Sequence, residues 1–277
     1  MRQPKIYIRL PSDGNFWQKN SLVVSDTGEY PVYSMTAKDE LALKVPDALI
    51  SGQAIVNVIQ NCMPNIKNAW AIPNTDLDVI LIAIRIATYG EKLKLPLKIG
   101  EGDDEKEFEY EIDLRYIMSN LIDQIRWEDA IQVLDDVVVY VKPTDYKQLS
   151  NSALKTFETQ RILQIVNDQS VSDEDKAKTF KDSIDKLNDM TVGLVNSAVY
   201  KIDTTEGSTD DPRYIKEFMN NVDKEIFDKI KNHIEILREH NNIKPVTINP
   251  NEEMIAQGFS AAPITVPLSF DPSTFFA

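Results

Sequence analysis

The sequence predicts an α+β fold: a mixed N-terminal domain with short strands around a buried helix, followed by a long-helix region and an extended C-terminal arm. Three observations predict it. Short β-branched and aromatic runs alternate with helical periodicities as far as residue 145, long amphipathic stripes follow from Tyr146, and five prolines crowd the segment after Lys244. The parts are placed at 1–145, 146–244 and 245–277. A chain of 277 residues with 42% apolar composition can fill one large core or two modest ones.

The first elements are short strands at Lys5 to Ile8, Leu22 to Val24 and Tyr30 to Met35. LPSDG at Leu10 to Gly14 separates the first two, because proline fixes one backbone angle and Asp-Gly supplies a tight reversal. In YPVYSMTAKDEL, Thr36 and Asp39 form a capping box that opens a helix to Leu43, and a second helix runs from Gly52 to Cys62. TDLDVILIAIRIATYG then begins a helix at Thr75, with Asp76 and Asp78 near its start and an almost unbroken apolar run behind them. Apolar on all sides, this helix belongs in the centre of a domain. It falls short of the ~20 residues that span a bilayer, and Arg85 interrupts it. A buried Arg85 needs a carboxylate or a carbonyl, since an unpaired charge there is costly. Asp78, two turns earlier on the same face, is the sequence candidate for a structural ion pair, although a more distant acid fits equally well.

Leu93 to Ile99 and Glu107 to Asp113 read as a hairpin around EGDDEK, LRYIMSNLIDQI as a helix, and VVVYVKP as a buried strand ended by Pro143. Long helices follow. Their stripes are Tyr146, Leu149, Ala153, Phe157, Leu163 and Val166, then Phe180, Ile184, Leu187, Leu194 and Ala198. After the loop DTTEGSTDD, Asp211 as N-cap and Pro212 in the first turn open a third helix carrying Ile215, Phe218, Met219, Val222, Ile226, Ile230 and Leu237. Three such helices should bury their stripes against one another as a bundle or hairpin, or lend some of that surface to a partner. In the last segment the prolines rule out a long helix but permit extended stretches such as ITVPLSF. The chain closes on Phe270, Phe275 and Phe276, and a bare aromatic pair must dock on its own protein or on a neighbour.

No constellation in the sequence points to catalysis or a cofactor, and none is expected. His233 and His240 stand seven residues apart, about 10 Å along one helix, too far to share a metal ion. Cys62 is the only cysteine, so neither a disulfide nor a cysteine metal cluster can form, and a small buried apolar role is expected for it. GEGDDE lacks the third glycine of a dinucleotide loop and the lysine of a phosphate loop. SDEDKAKTF lacks the central glycine of a calcium loop. Asp135 and Asp136 are adjacent and make a poor acid–base pair. A net charge of −14 argues against nucleic acid or an anionic membrane as partner, and MRQPKIYIRLPSDG has no signal-peptide core, so cytoplasmic synthesis is expected.

One charged feature carries a binding hypothesis. From Glu101 to Asp113 the local charge is −7, and Glu107, Glu109 and Glu111 alternate with Phe108, Tyr110 and Ile112. Such a strand buries one face and shows a carboxylate ladder on the other. That ladder is either a soluble edge guarded against wrong pairing or a docking face for a basic subunit.

Taken in order, LPSDG, YPVYSMTAKDEL, TDLDVILIAIRIATYG and the closing FDPSTFF resemble the baseplate hub and hub-assembly protein family of T-even-like contractile-tailed phages. The matching positions are Leu10, Pro11, Gly14, Thr36, Ala37, Lys38, Asp39, Glu40, Arg85, Tyr89 and Gly90, with Phe270, Asp271, Pro272, Phe275 and Phe276 at the end. The resemblance implies a non-enzymatic structural or assembly protein of the virion tail baseplate, built in the host cytoplasm. Its partners would be other hub or tail proteins, with a homo-oligomer conceivable within a symmetric baseplate. A transient assembly chaperone absent from the mature virion is the alternative, and an enzyme with a carboxylate site the remote one. Some relatives carry a cysteine metal knuckle before the last phenylalanines. NEEMIAQGFSAAP has no cysteine, so the resemblance implies no zinc here and Phe270, Phe275 and Phe276 act as a docking arm.

Overall fold

The computed structural model of the chain describes residues 2–99, 106–166, 173–256, 258, 260–268 and 275–276. The fold is α+β, as the periodicities require. β1 (Ile6–Ile8) pairs antiparallel with β2 (Tyr30–Val32). The strand expected at Leu22 to Val24 contributes an isolated bridge between Leu22 and Ile66. At α1 (Ala37–Leu43) the capping box is in place: Thr36 Oγ1 accepts the Asp39 N–H at 3.4 Å, and the Asp39 carboxylate accepts the Thr36 N–H at 2.8 Å. A short α2 (Pro46–Ile50) follows, with its proline in the first turn where no N–H is needed. Gly52, at φ +75°, reverses the chain into α3 (Gln53–Cys62). A Cβ at Gly52 would stand 2.6 Å from Ser150 Oγ, so glycine is required by space as well as by backbone angle.

α4 (Asn74–Tyr89) is the predicted central helix. Ile80, Ile82 and Ile84 are completely buried, and it packs against β1, β2, α3 and α5 (Leu114–Gln124) in one N-terminal core. Between α4 and α5 lies the predicted hairpin, β3 (Lys92–Ile99) with β4 (Lys106–Asp113). Asp113 ends that strand and caps α5 by accepting the Arg115 N–H at 2.9 Å.

A second core is organised by a sheet that the sequence reveals only in part. β5 (Ala130–Leu134), β6 (Val137–Val141), β7 (Val199–Thr204) and β8 (Gly207–Thr209) pair antiparallel in that order. α6 (Tyr146–Val166) and α7 (Asp173–Ala198) pack along each other between β6 and β7 in sequence. The strands on either side of residue 145, where a boundary was expected, are therefore hydrogen-bonded neighbours. The expected loop DTTEGST is a hairpin with Thr204 paired to Gly207. The third helical run is two helices, α8 (Pro212–Asn221) and α9 (Lys224–Asn241), because Asp223 caps a new start by accepting the Ile226 N–H at 3.2 Å.

With a sheet available, α8 and α9 bury their stripes on it, while α6 and α7 pack mainly along each other. Ile230, Ile234 and Leu237 of α9 join Val133, Val139 and Val141 in this core. The α7 stripe is buried at its end, by Val195 and Ala198, while Phe180 and Ile184 keep 48% and 40% of their surface exposed. The C-terminal segment is also more folded than an extended arm. β9 (Val246–Ile248) pairs with β10 (Ile264–Val266), α10 (Glu252–Ala256) lies between them, and Ile248 and Met254 close a small third core with Leu97 of β3.

Candidate interaction surfaces

Arg85 is paired, with a carbonyl in place of Asp78. Its Nη1 donates to the Phe275 carbonyl at 2.8 Å, and its guanidinium lies over two rings, 5.1 Å from the Tyr89 centroid and 5.3 Å from that of Phe275. The Tyr89 hydroxyl is within 3.2 Å of both the Phe276 carbonyl and a Glu40 carboxylate oxygen. Phe275 and Phe276 pack edge to face, 5.1 Å between centroids, and retain only 4% and 6% of their surface within the N-terminal core. Arg85 Nε is buried with no hydrogen-bond partner among the described residues, and burial lowers the proton affinity of the guanidinium. These residues form a clasp closing on the last aromatic pair. Phe270 lies outside the described residues.

Asp78, the sequence candidate for Arg85, makes no ion pair or hydrogen bond among the described residues. It is half-buried on α4, and desolvation pushes its carboxyl up to about 6. The seven-residue spacing put both side chains on one face but could not show that Arg85, at the far end of the helix, meets a returning chain first.

Asp76, two residues away, anchors a loop. Fully buried, its carboxylate accepts the Ser12 N–H at 2.8 Å, the Ser12 hydroxyl at 2.5 Å and the Trp17 indole N–H at 2.8 Å. Burial raises its carboxyl to about 6 against the opposing pull of those donors. The loop so held contains Asp13, Phe16 and Asn20, all non-glycine residues at positive φ, and Phe16 reaches across to meet Tyr200 of β7 edge-on at 6.4 Å. LPSDG marked a turn, yet nothing local in the sequence pointed to Asp76 as what pins it. The loop forms one wall of a cleft of about 1020 Å³ whose other wall carries Arg126, Trp127, Lys142 and Tyr200. Several of its polar groups are engaged internally: Trp127 donates its indole N–H to the Val141 carbonyl at 2.8 Å, and the Tyr200 hydroxyl bonds the Asp129 carboxylate.

The acidic ladder has a basic one beside it. Across the hairpin, Glu107 faces Lys98, Glu111 faces Lys94 and Asp113 faces Lys92, with Pro96 opposite Glu109. Lys94 reaches Glu109 at 2.6 Å, and Lys92 lies 3.8 Å from Glu111 and 3.6 Å from Asp113. Counting charges along Glu101 to Asp113 alone left out the lysines of β3. The pairs are exposed and individually weak, but they balance much of the ladder's charge.

His233 and Cys62 are built into the scaffold, whereas His240 is exposed near the end of α9. His233 Nε2 lies 3.0 Å from the Glu128 carbonyl, and Cys62 is fully buried with its thiol pushed up to about 11 by burial. Among the described residues no group of three or more His, Cys, Asp or Glu side chains could hold a metal ion, and no helix is long and apolar enough to cross a membrane.

Comparison with curated proteins and with solved structures finds no match. A family model does match, described as T4 bacteriophage base plate protein, over residues 5–250, and so takes in β1, the Asp76-anchored loop, α6 to α9 and β9. The match covers most of the 277 residues, and the chain therefore belongs to the T4 bacteriophage base plate protein family.

Proposed function

We propose that this base plate protein serves in the hub of a contractile tail's baseplate as a structural component acting through protein–protein contacts, without turnover chemistry. The family match over residues 5–250 carries the reading. Consistent with it, Asp76 holds a loop, Cys62 lies in the core and His233 meets a carbonyl. The contact surfaces are the paired face of β3 and β4 with Glu107, Glu109 and Glu111 and the exposed α7 side chains Phe180 and Ile184, whereas Phe275 and Phe276 are docked on the chain's own core. Assembly takes place in the host cytoplasm, with more than one copy in a symmetric plate.

Quantitative mass spectrometry of purified virions and of isolated baseplates tests this. The chain should be present in both, at fixed stoichiometry to the other hub subunits. Its absence from mature particles whose assembly requires it would replace the structural role with a transient assembly role.

A further inference from the structure

The hairpin of β3 and β4 has two outer edges, and they differ. Leu114 donates its N–H to the Glu91 carbonyl at 2.8 Å, one step beyond the pairing of Lys92 with Asp113, which fixes the alternation of the ladder. Leu93, Leu95 and Leu97 therefore exchange backbone bonds with Ile112, Tyr110 and Phe108, while the backbone groups of the residues between them point outward. On β3 that outward set is broken by Pro96, which has no N–H to offer and so guards the edge against pairing. On β4 it holds no proline, and the backbone N–H and C=O groups of Glu107, Glu109 and Glu111 have no hydrogen-bond partner among the described residues. Beside β4 lies a cleft of about 420 Å³, walled by Tyr110 to Asp113 on one side and Ile243 to Thr247 on the other. Consecutive residues of β4 line it, so it follows the edge of the strand and not one face. The two edges of a strand share the same rows of side chains, so β3 shows what β4 accepts. It sets leucines against Phe108, Tyr110 and Ile112, and lysines against the carboxylates. A second copy cannot supply this strand from its own β3, whose inner edge is paired and whose outer edge carries Pro96.

We propose that the outer edge of β4 is a strand-addition site for an extended segment of another baseplate protein, with a basic residue at every second position and apolar residues between. Main-chain bonds to Glu107, Glu109 and Glu111 supply the affinity, and the alternation supplies the specificity. The inference rests on the reading of this chain as a component that acts through protein contacts.

Hydrogen exchange on the free wild-type chain is the first test. The Glu109 and Glu111 amides should exchange about tenfold or more faster than those of Tyr110 and Ile112, which the ladder holds. Equal rates in the two sets would mean that the edge is not open, and would overturn the proposal. The binding probe is a short capped peptide that alternates lysine with leucine. It should bind saturably at low salt and slow exchange at Glu109 and Glu111 by about tenfold or more. The same peptide N-methylated throughout its backbone keeps every charge but loses every N–H, and should bind at least about tenfold more weakly. Glu109→Pro removes one outward N–H and leaves the ladder to β3 as Pro96 leaves it opposite, so it should weaken binding much more than Glu109→Gln, which loses the same charge. No binding by the unmethylated peptide, or binding that survives methylation or leaves Glu109 and Glu111 unprotected, would overturn the proposal. Virion mass spectrometry reads the baseplate role separately, so failure of the edge and failure of that role give different results.

Discussion

Asp78 offers the sharpest test of the electrostatics, because it is a half-buried carboxylate with nothing among the described residues to hold its charge. Its carboxyl rises from 3.8 to about 6, with desolvation as the cause. Between those values the folded protein binds a proton that the unfolded chain has released. Stability therefore falls as pH climbs through that window, and above about 6 the full penalty applies. A shift of this size corresponds to about 3 kcal/mol. Residual contact with water and the nearby positive end of α4 reduce the figure to about 2 kcal/mol. Asp78→Asn removes the charge while keeping the shape, so it should stabilise the protein by about 2 kcal/mol at pH 7.5 and by almost nothing at pH 3.5. Urea unfolding at the two pH values reads the difference. Destabilisation at pH 7.5 would refute the reasoning by showing that a partner holds the carboxylate, and a gain that does not change with pH would refute it by showing that folding does not shift its titration.

Asp76→Ala should have the opposite sign, because it strands the Ser12 N–H, the Ser12 hydroxyl and the Trp17 indole; a loss of about 3 kcal/mol or more at pH 7 is expected, with faster Ser12 amide exchange and altered Trp17 fluorescence. Phe276→Ala should cost about 3 kcal/mol in thermal or urea unfolding if the ring seals the core as its burial indicates. Thr36→Ala, which breaks the capping box of α1, should cost about 1 kcal/mol in the same assay. Reversing Glu109 and Glu111 to lysine should destabilise the hairpin by up to about 1 kcal/mol per pair through repulsion with Lys92 and Lys94. Glu109→Gln, which adds no positive charge, is therefore the cleaner probe of docking and should leave circular dichroism unchanged while weakening capture of a basic partner at low salt.

Local chemistry explains what could be read in advance. A capping box, an Asp-Pro helix start and a run such as VILIAIRIA act within a few residues, so α1, α8 and α4 stood where their side chains required. The apolar character of α4 also required Arg85 to have a carboxylate or carbonyl partner, and a carbonyl is what it meets. β5 and β7 were harder to see. Their side chains pack onto a sheet whose central strand, β6, sits between them although α6 and α7 separate β6 from β7 in the chain, and strand preference depends on such neighbours more than on the strand itself.

Sequence alone determined the class of the fold, the buried central helix, the main helix starts and the family to which the chain belongs, because each is written in short-range patterns and residue order. Tertiary structure decided who meets whom. That Asp76 pins a loop 64 residues before it, and that Arg85 holds a carbonyl 190 residues after it, follows from the way the chain returns to one core. Burial makes such partners obligatory without naming them, and only the folded path brings one within reach.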